Sequence, residues 1–355
     1  MIYEGYAIFT PGPVKMSQEI LDIGSKQTPY FRNQAFSNVV FNCEKMLLEM
    51  LNAPQNSRVI FLTASGTAGL ESSVMNLLTK DDNALVVNGG GFGQRFVDIC
   101  KSYDIPHQEL KVQNSNLSHI EEEVDGASFN TFIVNAHETS VGHLYDLDAI
   151  GEFTKKHNLF NIVDAISMFV TDEIDMQKHN IDVVIISSQK GLALPPGLTM
   201  VVLNEKAIDK LQDIQSHYFN FKNYLKDGER GQTPYTPAVS IILQLEERLK
   251  QIQKEGGIKA SIKRAQNVAE YFREHLHKYP LKFYTEYMPN AMTTLTPTDG
   301  KTASEIVEYL EQKHKVMVCP NGGKEREIIF RVSHMGDMSI EYVDLLLDSL
   351  EELYK

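Results

Sequence analysis

The sequence predicts an α/β protein whose large part is a mostly parallel sheet covered by helices, with a smaller α+β part at the C-terminus. Three observations predict it. Apolar, β-branched runs at 58–62, 84–87, 131–134, 161–163, 183–186 and 198–203 are continuous rather than alternating, as in strands buried on both faces. Most of these runs are separated by segments of helical period, the alternation that builds parallel sheets. Beyond about Pro237 the pattern changes to two long helices and then a shorter mixture of strands and helices.

The elements follow in order. Phe36, Val39, Val40, Cys43, Met46, Leu47, Met50 and Leu51 repeat at helical spacing and predict an amphipathic helix over 36–51. The strand at 58–62 runs into the small-residue turn Ser65-Gly66-Thr67 and a helix. The strand at 84–87 runs into Gly89-Gly90-Gly91-Phe92-Gly93, and the run at 161–163 ends on Asp164. No helix separates 183–186 from 198–203, so these two predict a local antiparallel pair. Helices at 237–255 and 257–278 are broken at Gly256-Gly257. Strands at 282–287, 291–295, 315–319 and 328–332 and helices near 302–313 and 339–353 complete the chain, with Ser304 and Ser339 placed to act as N-caps. We divide the chain into an N-terminal arm (1–15), a large domain (16–245) and a small domain (246–355), the arm packing on the small domain or on a partner subunit.

Composition narrows the function. A chain of 355 residues with 42% hydrophobic and 23% charged residues has enough material for a large core. Its 34 basic and 47 acidic residues give a net charge of −13, which disfavours nucleic acid and anionic membranes as partners. Cys43, Cys100 and Cys319 contain no C-x-x-C pair, and the first two fall on apolar helix stripes, as small core residues do in a reducing compartment. No basic and apolar leader and no window of about 18 apolar residues is present. A soluble cytoplasmic protein is expected.

Chemistry concentrates in a few motifs. Ser187-Ser188-Gln189-Lys190-Gly191, continued by Leu192-Ala193-Leu194-Pro195-Pro196-Gly197, sets one lysine at the end of an apolar strand inside a stiff Gly/Pro loop. A lysine held in this way can act as a nucleophilic amine; an isolated one is usually a surface residue. Asp164 closes an apolar strand, where a carboxylate needs a partner: a pyridinium N–H, a helix cap or an arginine. Asp, strand, then Lys is one arrangement that holds pyridoxal 5′-phosphate. The Ser65-Gly66-Thr67 turn before a helix could bind a phosphate or could be a plain strand–helix turn. Phe92 could stack on a planar ring or lie in the core. Arg331, inside the apolar run 328–332, could grip a substrate carboxylate or form an internal salt bridge. His137 and His143 lack the H-E-x-x-H spacing and make no metal site, since position 141 is Val. Gly300-Lys301-Thr302 is not a P-loop, because Leu295 stands where it needs glycine.

Taken together and in order, Thr10-Pro11-Gly12-Pro13, Ser65-Gly66-Thr67, Gly91-Phe92-Gly93, His137-Glu138-Thr139-Ser140, Val163-Asp164-Ala165-Ile166-Ser167, Ser188-Gln189-Lys190 with Pro195-Pro196-Gly197, Thr233-Pro234-Tyr235-Thr236-Pro237 and Phe330-Arg331 resemble the class V aminotransferases of fold type I, closest to the alanine–glyoxylate and serine–pyruvate type. The resemblance implies a seven-stranded sheet and pyridoxal phosphate as cofactor. It implies Lys190 as the Schiff-base lysine, Asp164 on the ring nitrogen, Phe92 and Ile166 on the two ring faces, and Thr139 beside the ring oxygen. Ser65, Gly66, Thr67 and Gln189 would hold the phosphate, with Thr236 reaching it from a partner subunit in a homodimer. Arg331, near the Gly12 loop, would bind the carboxylate of a small amino-acid or 2-oxo-acid substrate, in ping-pong transfer from an alanine- or serine-like donor to glyoxylate or pyruvate. Met168-Phe169 and Tyr30-Phe31-Arg32 depart from the pattern, the first narrowing the site and the second altering its entrance. Aminoethylphosphonate–pyruvate transaminases share several motifs but typically carry Asn where Gln189 stands. Cysteine desulfurases and related lyases place His there and use a mobile Cys. A cofactor-binding subunit without turnover could have lost Lys190 or Asp164.

Overall fold

The computed structural model describes residues 4–113 and 115–355; the first three residues of the expected arm lie outside them. Seven strands form one sheet in the order Arg58–Leu62, Thr199–Leu203, Val183–Ser187, Phe160–Asp164, Thr131–Asn135, Ala84–Asn88, His107–Lys111. Thr199–Leu203 runs antiparallel to both of its neighbours, and the remaining pairings are parallel. Helices cover both faces.

The continuous apolar runs find their explanation in the two cores. Val59, Phe61, Leu85, Val87, Phe132, Val134, Val163, Val184 and Ile186 point to one face, where the helices Gln34–Met50, Leu147–Lys156 and Val239–Lys254 lie. Ile60, Leu62, Val86, Ile133, Ile162, Val183, Ile185 and Val201 point to the other, against Gly66–Leu77 and Gly91–Ser102. Alternate residues of a strand face opposite ways, so a strand with helices on both sides is apolar throughout. Burying each such side chain contributes roughly 1.5–3 kcal/mol. The edge strand His107–Lys111 was not among the predicted runs, because only part of it is covered and it carries His, Gln, Glu and Lys.

After Val239–Lys254 and Gly257–Glu274, a second sheet forms in the order Leu281–Phe283, Met292–Pro297, Phe330–Ser333, Cys319–Pro320. The predicted 315–319 strand is two short pieces: Val316–Met317 pairs in parallel with Ala7–Ile8, while Cys319–Pro320 joins the sheet. Ser333 N donates to Phe9 O at 2.8 Å, and Phe9 is fully buried in the core of this part with Leu295, Phe330, Val332, Ile306 and Leu346. The N-terminal segment is therefore stitched to the C-terminal part of the same chain.

Two expected caps resolve differently. Ser339 caps Ile340–Leu353 through Tyr342 N. Ser304 does not cap, because Thr302 and Glu305 form a capping box that starts Ala303–His314, and the Ser304 hydroxyl turns to Glu327 instead. Cys43 and Cys100 are buried. Among the described residues no helix is long and apolar enough to cross a membrane.

Candidate active site

The turns that leave the sheet at the carboxyl ends of its parallel strands gather the candidate residues, as open α/β sheets require. Pairing places Asn135 opposite Asp164, and Asp164 opposite Ile185. The loop after Ser187 returns as a tight hairpin: Ser188 N donates to Leu198 O (3.0 Å), Leu194 N to Ser188 O (3.0 Å) and the Ser188 hydroxyl to Pro195 O (2.6 Å). These bonds make the Gly/Pro loop stiff and set Lys190 at its start.

Lys190 is 9% exposed, and among the described residues its amine has no hydrogen-bond or ion-pair partner. Burial pushes this ammonium down to about 8, helped by the positive Arg331 and opposed by Asp164. Asp164 is 2% exposed. Burial raises its carboxyl to about 6, against the pull of hydrogen bonds from Ile166 N and Asn135 Nδ2. Those bonds measure 2.8 and 2.9 Å. Gly12 lies on the lysine stem: a Cβ there would stand 3.1 Å from both Cδ and Cε of Lys190. In the cofactor-free protein the rate of amine modification at Lys190, followed by peptide mass spectrometry, should therefore rise with a midpoint near pH 8. A midpoint in the ordinary lysine range above 10 would show that burial does not act on this amine.

Ser65 has the extended dihedrals of an N-cap before Gly66–Leu77, yet its side chain makes no cap hydrogen bond. A Cβ on Gly66 would stand 2.6 Å from Ile166 Cδ1, so Ile166 packs directly on this turn. Thr67 Oγ1 accepts from Arg95 Nη1 at 2.9 Å, and the Arg95 guanidinium lies 4.8 Å from the centre of the Phe92 ring. Phe92 sits in the first turn of Gly91–Ser102, half-buried. Gln189 Oε1 accepts from the Ser187 hydroxyl at 2.7 Å.

Thr139 is buried, and its hydroxyl bonds Ser167 Oγ at 2.6 Å. Its carbonyl accepts from Arg331 Nη1 at 2.9 Å, while Arg331 Nη2 donates to Pro320 O (2.9 Å) and Cys319 Sγ (3.0 Å). Arg331 is in no ion pair among the described residues, so the internal salt bridge is not formed and its charge stays available to an anion. Cys319 sits on a short paired strand beside that guanidinium rather than on a mobile loop.

Lys190, Asp164, Ser65, Gly66, Thr67, Ile166, Thr139, Gln189, Gly12 and Arg331 thus share one end of the sheet. Thr236 stands apart. It is exposed on a groove of about 630 Å³ with Thr28, Tyr30, Phe31, Pro237 and Ile241. Next to the groove, Arg32 donates to Thr233 O (2.9 Å) and Pro234 O (3.3 Å), joining the two segments that lead into it. Met168 and Phe169 do not narrow the site as expected, because their side chains are buried in the core under the sheet. A cleft of about 1230 Å³ between the His107–Lys111 edge and residues 283–288 is lined by none of the residues gathered around Lys190. Sequence reasoning overlooked Asn135, Ser167 and Arg95. Asn135 was detectable, since it ends its strand as Asp164 ends the next one. His137 is fully buried and stays neutral, its imidazole pushed down to about 3 by burial, with Nδ1 3.1 Å from Ser167 O and Nε2 without a partner among the described residues. No cluster of metal-ligating side chains occurs among the described residues.

Known proteins resemble this chain along most of its length. The family described as Aminotransferase class-V matches residues 25–337. An uncharacterized aminotransferase of Helicobacter pylori is 29% identical over 353 residues, covering 97% of this chain and 92% of the relative. The L-aspartate–glyoxylate aminotransferase of Paracoccus denitrificans is 24% identical over 345 residues, covering 94% and 87%. The crystal structure of an alanine–glyoxylate aminotransferase from Nostoc sp. superposes with a TM-score of 0.92 at 22% identity, covering 99% of this chain and 96% of that one.

Proposed function

The chain belongs to the class V aminotransferases, and from that premise we propose that it moves an amino group from a small alanine- or serine-like amino acid to glyoxylate or pyruvate in two alternating half-reactions. The observation that carries the reading is the buried amine of Lys190, without a hydrogen-bond or ion-pair partner among the described residues and within electrostatic reach of the Asp164 carboxyl and of Arg331, which forms no ion pair among them. Glyoxylate is named as acceptor in both the Paracoccus and the Nostoc relatives, which supports the choice of acceptor.

The cofactor is pyridoxal 5′-phosphate, and the residues present fit it. A free lysine amine, a buried acid, an uncapped helix start at Ser65 and a glycine that leaves room on the lysine stem form a donor set for an aldehyde, a ring nitrogen and a phosphate. When bound, the cofactor supplies an electron sink for the charge left on a substrate α-carbon. Lys190 would hold it covalently and, once displaced by the donor's amine, would carry the α-proton on Nζ. Asp164 would keep a proton on the ring nitrogen. Phe92 and Ile166 would take the two ring faces, with Thr139 beside the ring oxygen. Ser65, Gly66, Thr67 and Gln189 would hold the phosphate, joined by Thr236 from a second copy of the chain in a homodimer, which fits the exposure of that residue here. Arg331 would grip the substrate carboxylate in two bonds, beside the Gly12 loop.

A spectroscopic screen tests this. Alanine and serine should bleach the cofactor's visible band more efficiently than aspartate or aminoethylphosphonate, with glyoxylate or pyruvate restoring it. In Arg331→Ala, kcat/KM for the preferred amino acid should fall by about 30-fold or more, as for the loss of one partner of a desolvated charge pair, while an amine lacking a carboxylate is unaffected. Equal losses for both kinds of amine would remove Arg331 from substrate recognition. A strong preference for aspartate would replace the donor assignment.

A further inference from the structure

Glu138 is fully buried, and no cation pairs with it among the described residues. Its carboxylate is instead spent on one helix end and one neighbour. Oε2 accepts from Gly93 N at 2.9 Å and Phe92 N at 3.2 Å. Oε1 accepts from Ser140 N at 3.1 Å, the Ser140 hydroxyl at 2.5 Å and Phe92 N at 3.3 Å. Ser140 Oγ in turn accepts from Gly91 N at 2.9 Å. The N–H groups of Gly91, Phe92 and Gly93, which a helix start leaves without internal partners, are thus all taken by side chains of one loop. A carboxylate is favoured there by the positive end of Gly91–Ser102. The approach is so close that a Cβ on Gly90 would stand 2.4 Å from Ser140 Oγ and 2.8 Å from Glu138 Cδ.

The clamped turn carries Phe92, and the clamping loop carries Thr139 between its two anchors. We infer that Glu138, supported by Ser140, is a positioning residue that fixes the height and tilt of the Phe92 ring over the cofactor. The inference rests on the reading that Phe92 stacks on that cofactor. Every acceptor position of the carboxylate faces a donor, so an amide of the same shape must set an NH₂ against N–H groups and release one side of the clamp.

The test is equilibrium binding of pyridoxal phosphate, read by visible absorbance and induced circular dichroism, to wild type, Glu138→Gln, Phe92→Ala and the double variant. Glu138→Gln should weaken binding by about tenfold, the size of a lost charge-assisted hydrogen bond, and diminish the dichroism. Because it acts through Phe92, it should add less than about twofold once Phe92 is absent. Losses that multiply in the double variant would give Glu138 a general structural role and overturn the inference. Wild-type binding by Glu138→Gln together with weak binding by Phe92→Ala would overturn it while leaving the stacking intact. Wild-type binding by Phe92→Ala would remove the stacking itself, and the inference with it. If Glu138→Gln does not fold, Ser140→Ala, which releases Gly91 N and one donor to Glu138, carries the same cycle.

Discussion

Lys190→Ala should abolish amino transfer, lowering kcat by about 10³-fold or more, the upper range of what a positioned proton carrier contributes. The residue combines the two properties the chemistry needs. Among the described residues its amine has no partner, so it is free to bond an aldehyde, and burial brings its proton affinity down to about 8, so it can both give and take a proton near neutral pH. The alanine variant should still bind pyridoxal phosphate, because the Ser65 turn, Gln189 and Asp164 are untouched. Borohydride reduction and peptide mass spectrometry should find the cofactor's mass on the Lys190 peptide of the wild type and on no peptide of the variant. Turnover near the wild-type level would assign the proton transfer to another group.

Asp164→Asn should lower kcat by about 10²–10³-fold, the loss typical of a preorganised charge removed from a reacting centre. Its sign in stability is the opposite. The carboxyl is raised from 3.8 to about 6 by burial, so the folded chain holds a proton that the unfolded chain has already released. A raised acid costs nothing below pH 3.8; the penalty grows as pH rises through the folded value and is complete above about 6. Relative to Asp164→Asn, the cofactor-free wild type should lose stability between pH 4 and 6.5, by something on the order of 2–3 kcal/mol. Denaturant titrations of both proteins across that range measure it. A stability difference flat with pH would mean the carboxyl is not desolvated in solution. Such a cost, borne only until a ring nitrogen arrives, is what a functional buried acid shows.

Much of the fold was legible because double burial leaves a plain mark. Val183 to Ile186 is apolar on both faces because helices lie on both, and that is visible without coordinates. His107–Lys111 was hidden for the same reason reversed: an edge strand half in water reads like a loop. At the site, Lys190 and Asp164 were visible as charges where apolar runs end. Glu138 stood in its motif without a role, because apart from neighbouring Ser140 its partners are the backbone N–H groups of Phe92 and Gly93, more than forty residues away, which no side-chain pattern records. Met168 and Phe169 misled for a related reason: adjacency to Asp164 in sequence says nothing about which way a side chain turns after the strand ends.

The stitching of Ala7–Ile8 to Val316–Met317 has a consequence for the order in which the molecule can be completed. Gly12 rests on the Lys190 stem, but the Val316–Met317 strand that anchors its segment is synthesised long after it. Closing a loop of that length is an entropic cost met only when the far partner exists. A nascent chain stopped short of residue 316 already contains Lys190 and the Ser65 turn, but lacks both the strand that anchors the Gly12 segment and Arg331.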